Sequence, residues 1–137
     1  MGARTSGREA ALQMLFAMDA AGHDADRAIF DFWREFPSDG EGRSYADQLT
    51  RGVAEQRLAL DEEITKVSAN WRLERMTRVD RNILRLASYE LMFQRDIPHA
   101  VIIDEAVELA KRYGSENSPA FVNGLLDKLA STVRATG

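Results

Sequence analysis

An all-α fold is what this sequence predicts, and three observations carry the prediction. Apolar residues recur at three- and four-residue steps through most of the chain, the spacing that lines one face of a helix. The strongest breakers, "PSDGEG" at 37–42 and "RDIPH" at 95–99, fall between such stretches. The one β-branched run, in "AVIIDEAVELAKRYG", keeps helical spacing and is no strand. With 137 residues, 45% hydrophobic and 29% charged, the chain suits a single compact domain with a real core.

The elements follow in order. From Arg8 to Met18, Ala11, Met14, Leu15 and Met18 make one buried face. In "HDADRAIFDFWREF", Ile29, Phe32, Trp33 and Phe36 repeat the pattern up to the breaker. A long helix is predicted from about Arg43 to Asn70, striped by Tyr45, Leu49, Val53, Leu60, Ile64 and Val67. Gly52 inside it marks a close helix contact rather than a break. Trp71 to Thr77 reads as a short connection or single helical turn. Asp80 to Gln94 is the next helix, with Ile83, Leu84, Ala87 and Leu91 inward; it stops because Ile97, before Pro98, is pushed out of helical geometry. Ile103, Ala106, Val107 and Ala110 stripe the following helix, and Gly114 stands where a helix C-terminal glycine belongs. Ser118 and Pro119 predict a hydroxyl cap followed by a fixed-φ residue. Phe121, Val122, Leu125, Leu126, Leu129 and Val133 form the last face, which makes six or seven helices.

Composition narrows the function. A net charge of −4 and a pI of about 5.2 argue against nonspecific coating of nucleic acid. The charge is uneven: residues 24–47 hold seven acids and three arginines, whereas residues 71–95 hold six arginines and three acids. With no cysteine there is no disulfide or thiolate chemistry, and a reducing cytoplasm fits. No window has the ~20 apolar residues of a membrane span, and no signal peptide is evident. HExxH, GxSxG and P-loop patterns are absent, so no enzyme, metal or cofactor is expected. His23 and His99 read as surface residues. Asp104, Glu105 and Glu108 read as a solvated or ion-paired face, not as metal ligands. Arg78, Arg81 and Arg85 share one helix side and are either a salt-bridged face or a phosphate ridge, the interleaved acids favouring the former.

"KRYGSENSPAFVNG", residues 111–124, gathers the most suggestive chemistry. Lys111 and Arg112 end one helix, Ser115, Asn117 and Ser118 offer hydrogen bonds, and the N–H groups opening the next helix can bind an anion. Tyr113 and Phe121 can stack on bases. The same residues also describe a capped turn with both aromatics buried.

Three segments, "VDRNILRLASYEL" at 79–91, "DIPHAVIIDEAVELAKRYG" at 96–114 and "FVNGLLDKLA" at 121–130, resemble the NusB family of bacterial transcription antitermination factors. "REAALQMLFAMD" at 8–19 resembles that family's first helix, while residues 20–70 match only in helical character. The resemblance implies an all-α domain over 1–137, made of two packed helical subdomains, without enzymatic activity. It implies binding of boxA-type single-stranded RNA of ribosomal RNA leaders, together with NusE, a small-subunit ribosomal protein. The pair helps to build the complex that lets RNA polymerase read through terminators. By position, the RNA surface combines Arg4, Arg8, Gln13 and Phe16 with Lys111, Tyr113, Asn117, Ser118 and Phe121. The surface facing NusE involves Glu74, Arg75, Arg78 and Asp80, and Arg85, Glu90 and Glu105 are implied to be internal ion pairs.

Two departures qualify the match. The family's amino terminus is often a dense arginine cluster, whereas "GARTSGRE" supplies Arg4 and Arg8, which predicts a shallower salt dependence. At 117 the family often has aspartate, and asparagine removes a negative charge from the RNA side. Two other readings accompany the adaptor: an accessory module of an RNA methyltransferase, and a protein-binding module that forms a homodimer hiding its RNA face.

Overall fold

In the computed structural model, residues 2–38, 40–68 and 70–134 are described. Among these residues six α-helices follow one another: α1 (Ala3–Ala21), α2 (Ala25–Glu35), α3 (Gly42–Val67), α4 (Arg78–Phe93), α5 (His99–Tyr113) and α6 (Ser118–Val133). A single 3-10 turn, Leu73–Arg75, precedes α4, and no strand occurs among the described residues. Asp39 of the predicted breaker and Ala69 near the predicted end of the third helix lie outside those residues. The chain divides into two compact units, Met1–Glu55 and Gln56–Gly137, with the boundary inside α3.

In the first unit α1 packs on α2. Ala10, Met14, Ala28, Ile29 and Ala46 make a buried cluster, with Met18, Phe32 and Trp33 packed against it. α1 starts five residues earlier than the apolar stripe predicts, at Ala3 instead of Arg8. Its extra turn packs through two glycines. A Cβ on Gly42 would lie 2.8 Å from Ala3 O and 2.9 Å from Gly7 N, and one on Gly7 would lie 3.0 Å from Gly42 O. Backbone therefore meets backbone where α1 and α3 begin. The helix ends at Gly22, whose φ of 73° is left-handed and whose N–H bonds Met18 O. Asp24 caps α2 by accepting from Arg27 N at 2.8 Å. Trp33 Nε1 donates to Asp47 Oδ1 at 2.7 Å, tying α2 to α3. Arg51 pairs with Asp26, and that hydrogen bond, followed by charge attraction, raises the guanidinium pKa.

In the second unit α4, α5 and α6 pack pairwise. Leu60, Ile64, Ile83, Leu84, Leu91, Ile103, Val122, Leu126 and Leu129 are buried, as their periodicity predicts. Thr77 caps α4 by accepting from Asp80 N at 3.1 Å. The arginine row on α4 includes a salt bridge, the reading that the interleaved acids favour, and also carbonyl contacts. Arg85 is buried and bonds Asp61 of α3 through Nε and Nη2, at 2.8 and 3.0 Å. Arg81 Nη1 donates to the carbonyls of Leu73 and Met76, and so holds the 3-10 turn against α4. Arg134, just past α6, donates to the carbonyls of Glu90, Leu91, Gln94 and Ile97. One guanidinium thus supplies donors to carbonyls at and just beyond the end of α4. Burial first, and Arg95 second, lower its pKa.

Gly114 ends α5, as expected, with an extended backbone (φ −94°, ψ −170°). Glycine is needed there because a Cβ would lie 2.5 Å from Ser118 Oγ and 2.8 Å from Ala110 O. Ser118 is not the N-cap: Asn117 holds that position without a side-chain cap, and the Ser118 hydroxyl turns back to accept from Ser115 N at 2.9 Å. A Cβ on Gly124, within α6, would meet nothing within 4 Å.

Candidate nucleic-acid interface

The residues that the sequence points to as RNA-contacting fall in both units. In the first unit, Arg4, Gln13 and Phe16 are exposed on α1. Arg8 is not: it is 3% exposed. The guanidinium carbons of Arg4 and Arg8 lie 5.6 and 5.9 Å from the centre of the Tyr45 ring. Cation–π attraction holds both arginines over the start of α3. Arg4 presents its charge at the surface, whereas Arg8 acts from below it.

In the second unit the α5–α6 turn is built by a short hydrogen-bond circuit. Gly114 N bonds Ala110 O at 2.9 Å, Ser118 N bonds Ser115 O at 3.1 Å, and the Ser115 and Ser118 hydroxyls lie 3.2 Å apart. Ser118 is 2% exposed and therefore shapes the turn from within. The anion site expected at the start of α6 is weaker than its sequence suggests. Ser118 N is used inside the turn, and Pro119 has no N–H to give. The turn instead offers side chains. Lys111, Arg112, Tyr113 and Asn117 are exposed; Arg112 stacks 5.8 Å from the Tyr113 ring centre, and Lys111 pairs with Glu108 at 3.2 Å. A surface ion pair of this kind contributes little and yields readily to a phosphate.

Phe121 is partly buried and meets Trp71 edge to face, with ring centres 5.9 Å apart. Trp71 itself is 58% exposed. By sequence Trp71 falls in a connector, and its place between Asn70 and Arg72 is the local signal of a surface aromatic. Among the residues expected to face a protein partner, Glu74, Arg75 and Arg78 are exposed around the 3-10 turn. Asp80 is 8% exposed, in the first turn of α4, where a carboxylate favours the positive helix end. Among the described residues no group of three or more His, Asp and Glu is arranged to hold a metal, and no helix is long and apolar enough to cross a membrane.

Comparison with known proteins agrees with this architecture. The NusB family model matches residues 5–131. The transcription antitermination protein NusB of Sorangium cellulosum is 64% identical over 133 residues, 97% of this chain and 95% of that protein. A structure of T. maritima NusB superposes with a TM-score of 0.86 at 41% identity, covering 94% of this chain and 91% of that one. A crystal structure of antitermination factors NusB and NusE in complex with double-stranded RNA also gives a TM-score of 0.86, at 25% identity over 94% of this chain and 96% of that one. With nearly its whole length matched by the family model and by close relatives, this chain belongs to the NusB family.

Proposed function

We propose that this protein is a non-enzymatic, cytoplasmic transcription antitermination factor that binds boxA-type single-stranded RNA together with NusE. The observation that carries the reading is the α5–α6 turn, where a rigid hydrogen-bonded circuit displays Lys111, Arg112, Tyr113 and Asn117 to solvent. Cations, an amide and an aromatic ring on one ordered turn suit an unstacked strand better than a duplex, whose bases are paired and hidden. Family membership, and a relative solved with NusE and RNA, support the same assignment. In this reading Arg4 and Lys111 meet phosphates, Gln13, Phe16, Tyr113, Asn117 and Phe121 line the strand, and Arg8 and Ser118 position their neighbours. Glu74, Arg75 and Arg78 present the face for NusE, with Asp80 fixing the start of α4 beneath them. The heterodimer would join the RNA polymerase antitermination complex, and a homodimer is the competing state that would hide the RNA face.

The test is a titration of a short boxA-type RNA, single-stranded and as a duplex, against the protein alone and with NusE at several salt concentrations. Weak, salt-sensitive binding alone and clearly tighter single-strand binding with NusE are expected. Absence of binding in every mixture overturns the assignment.

A further inference from the structure

We propose that a small pocket beside Trp71, within the second unit, is a slot for one unstacked nucleobase. The proposal rests on the RNA-binding reading above and places a single base within it. The pocket, of about 290 Å³, is lined by residues that include Ser68, Asn70, Trp71, Phe121, Gly124 and Lys128. That is the small end of ligand-sized clefts, suited to one ring system and not to a folded element.

Independent features point to a planar, polar-edged ligand. Trp71 is the most exposed of the two rings and is propped by the edge-to-face contact with Phe121, so its indole is held in place yet open to stacking. Gly124 sits within α6, where alanine is the better helix former, and no neighbour demands its missing side chain. Its absent Cβ leaves room in the pocket. Ser68 is 4% exposed and lines the pocket, and its Oγ has no hydrogen-bond partner. A buried hydroxyl in that state is unfavourable and is relieved by a ligand that can hydrogen-bond. A base edge supplies such a group, whereas an apolar side chain from a protein partner leaves the hydroxyl unsatisfied. Asn70 and Lys128 are exposed at the rim, where an amide reads a base edge and an ammonium meets the adjoining phosphate.

The sequence contains two tryptophans, so Trp33→Phe leaves Trp71 as the sole indole reporter. In that full-length variant, mixed with NusE, a boxA-type RNA should quench Trp71 emission along the same curve as the anisotropy of the labelled RNA. Gly124→Leu fills the slot without a backbone clash, and should weaken RNA binding about tenfold, the cost of one lost stacking contact. Trp71→Leu, tested alongside, should produce the same loss and guards against misfolding of the first variant. RNA binding at full affinity to both variants, with Trp71 emission unmoved, overturns the slot while leaving the RNA assignment standing. Quenching by NusE before RNA is added also overturns it, because the pocket is then a protein contact. If the unaltered pair binds no RNA, the functional assignment falls and the slot falls with it.

Discussion

Arg85 grips Asp61 with two of its nitrogens, Nε to Oδ1 at 2.8 Å and Nη2 to Oδ2 at 3.0 Å, linking α4 to the second half of α3. The arginine side chain is 10% exposed and the aspartate 22%. Removing one partner from such a pair strands the other in a poorly solvated place. Arg85→Ala should therefore lower stability by about 3 kcal/mol, less than a fully buried pair would cost in the upper range. Arg85→Met with Asp61→Leu should recover much of that loss in urea denaturation. Equal losses in the single and double variants would show that packing, not charge, dominates.

The glycines at 42 and 124 should behave differently under one substitution. Gly42→Ala drives a Cβ into the backbone of Ala3 and Gly7 and should cost about 1–3 kcal/mol. Gly124→Ala meets open space inside a helix and should stabilise by about 0.5–1 kcal/mol. Thermal melts of the two variants moving in the same direction would contradict this assignment.

At the α5–α6 turn, Gly114→Ala should cost about 1–3 kcal/mol, and Ser118→Ala should not rescue it. Removing the hydroxyl still leaves Ser118 Cβ 2.6 Å, and Ala110 O 2.8 Å, from the new methyl group. Ser118→Ala alone should cost about 1 kcal/mol through the lost acceptor for Ser115 N. Chemical denaturation of the three variants checks both statements.

Arg134→Ala should destabilise by about 2 kcal/mol, because four carbonyls at and just beyond the end of α4 lose a donor together. Of these, Glu90 O and Gln94 O keep a backbone N–H, from Gln94 and Ile97. Arg134→Lys should recover less than half, since one ammonium lacks the planar fork that spans them. Hydrogen exchange should rise first in residues 90–97 if the guanidinium is the cap.

Arg4→Ala should weaken RNA binding and flatten the log–log salt dependence by about 0.7, the counterion release of one single-strand phosphate contact. Arg8→Ala should chiefly lower stability, because that side chain lies under the surface beside Tyr45. A salt slope that falls equally in both would place Arg8 at the RNA as well.

Periodicity and breakers determined the helix count, the inward faces and most boundaries without reference to any tertiary contact. Leu60, Ile64, Ile83, Leu91 and Leu126 are buried where their spacing puts them, because amphipathic stripes need only the helical repeat to be read. The chemistry of residues 111–121 was legible for the same local reason. What only the tertiary structure decided depends on atoms far apart in the chain. Arg81 and Arg85 look alike in sequence, yet one binds carbonyls and the other a carboxylate contributed by α3. Gly42 is required by a second backbone and Gly124 by none, a distinction no local pattern encodes. Trp71 is a connector residue by sequence, and its ring is propped at the surface by Phe121, fifty positions later. Helical repeats are a property of neighbouring residues, but burial, partnering and access to solvent are settled by which elements meet.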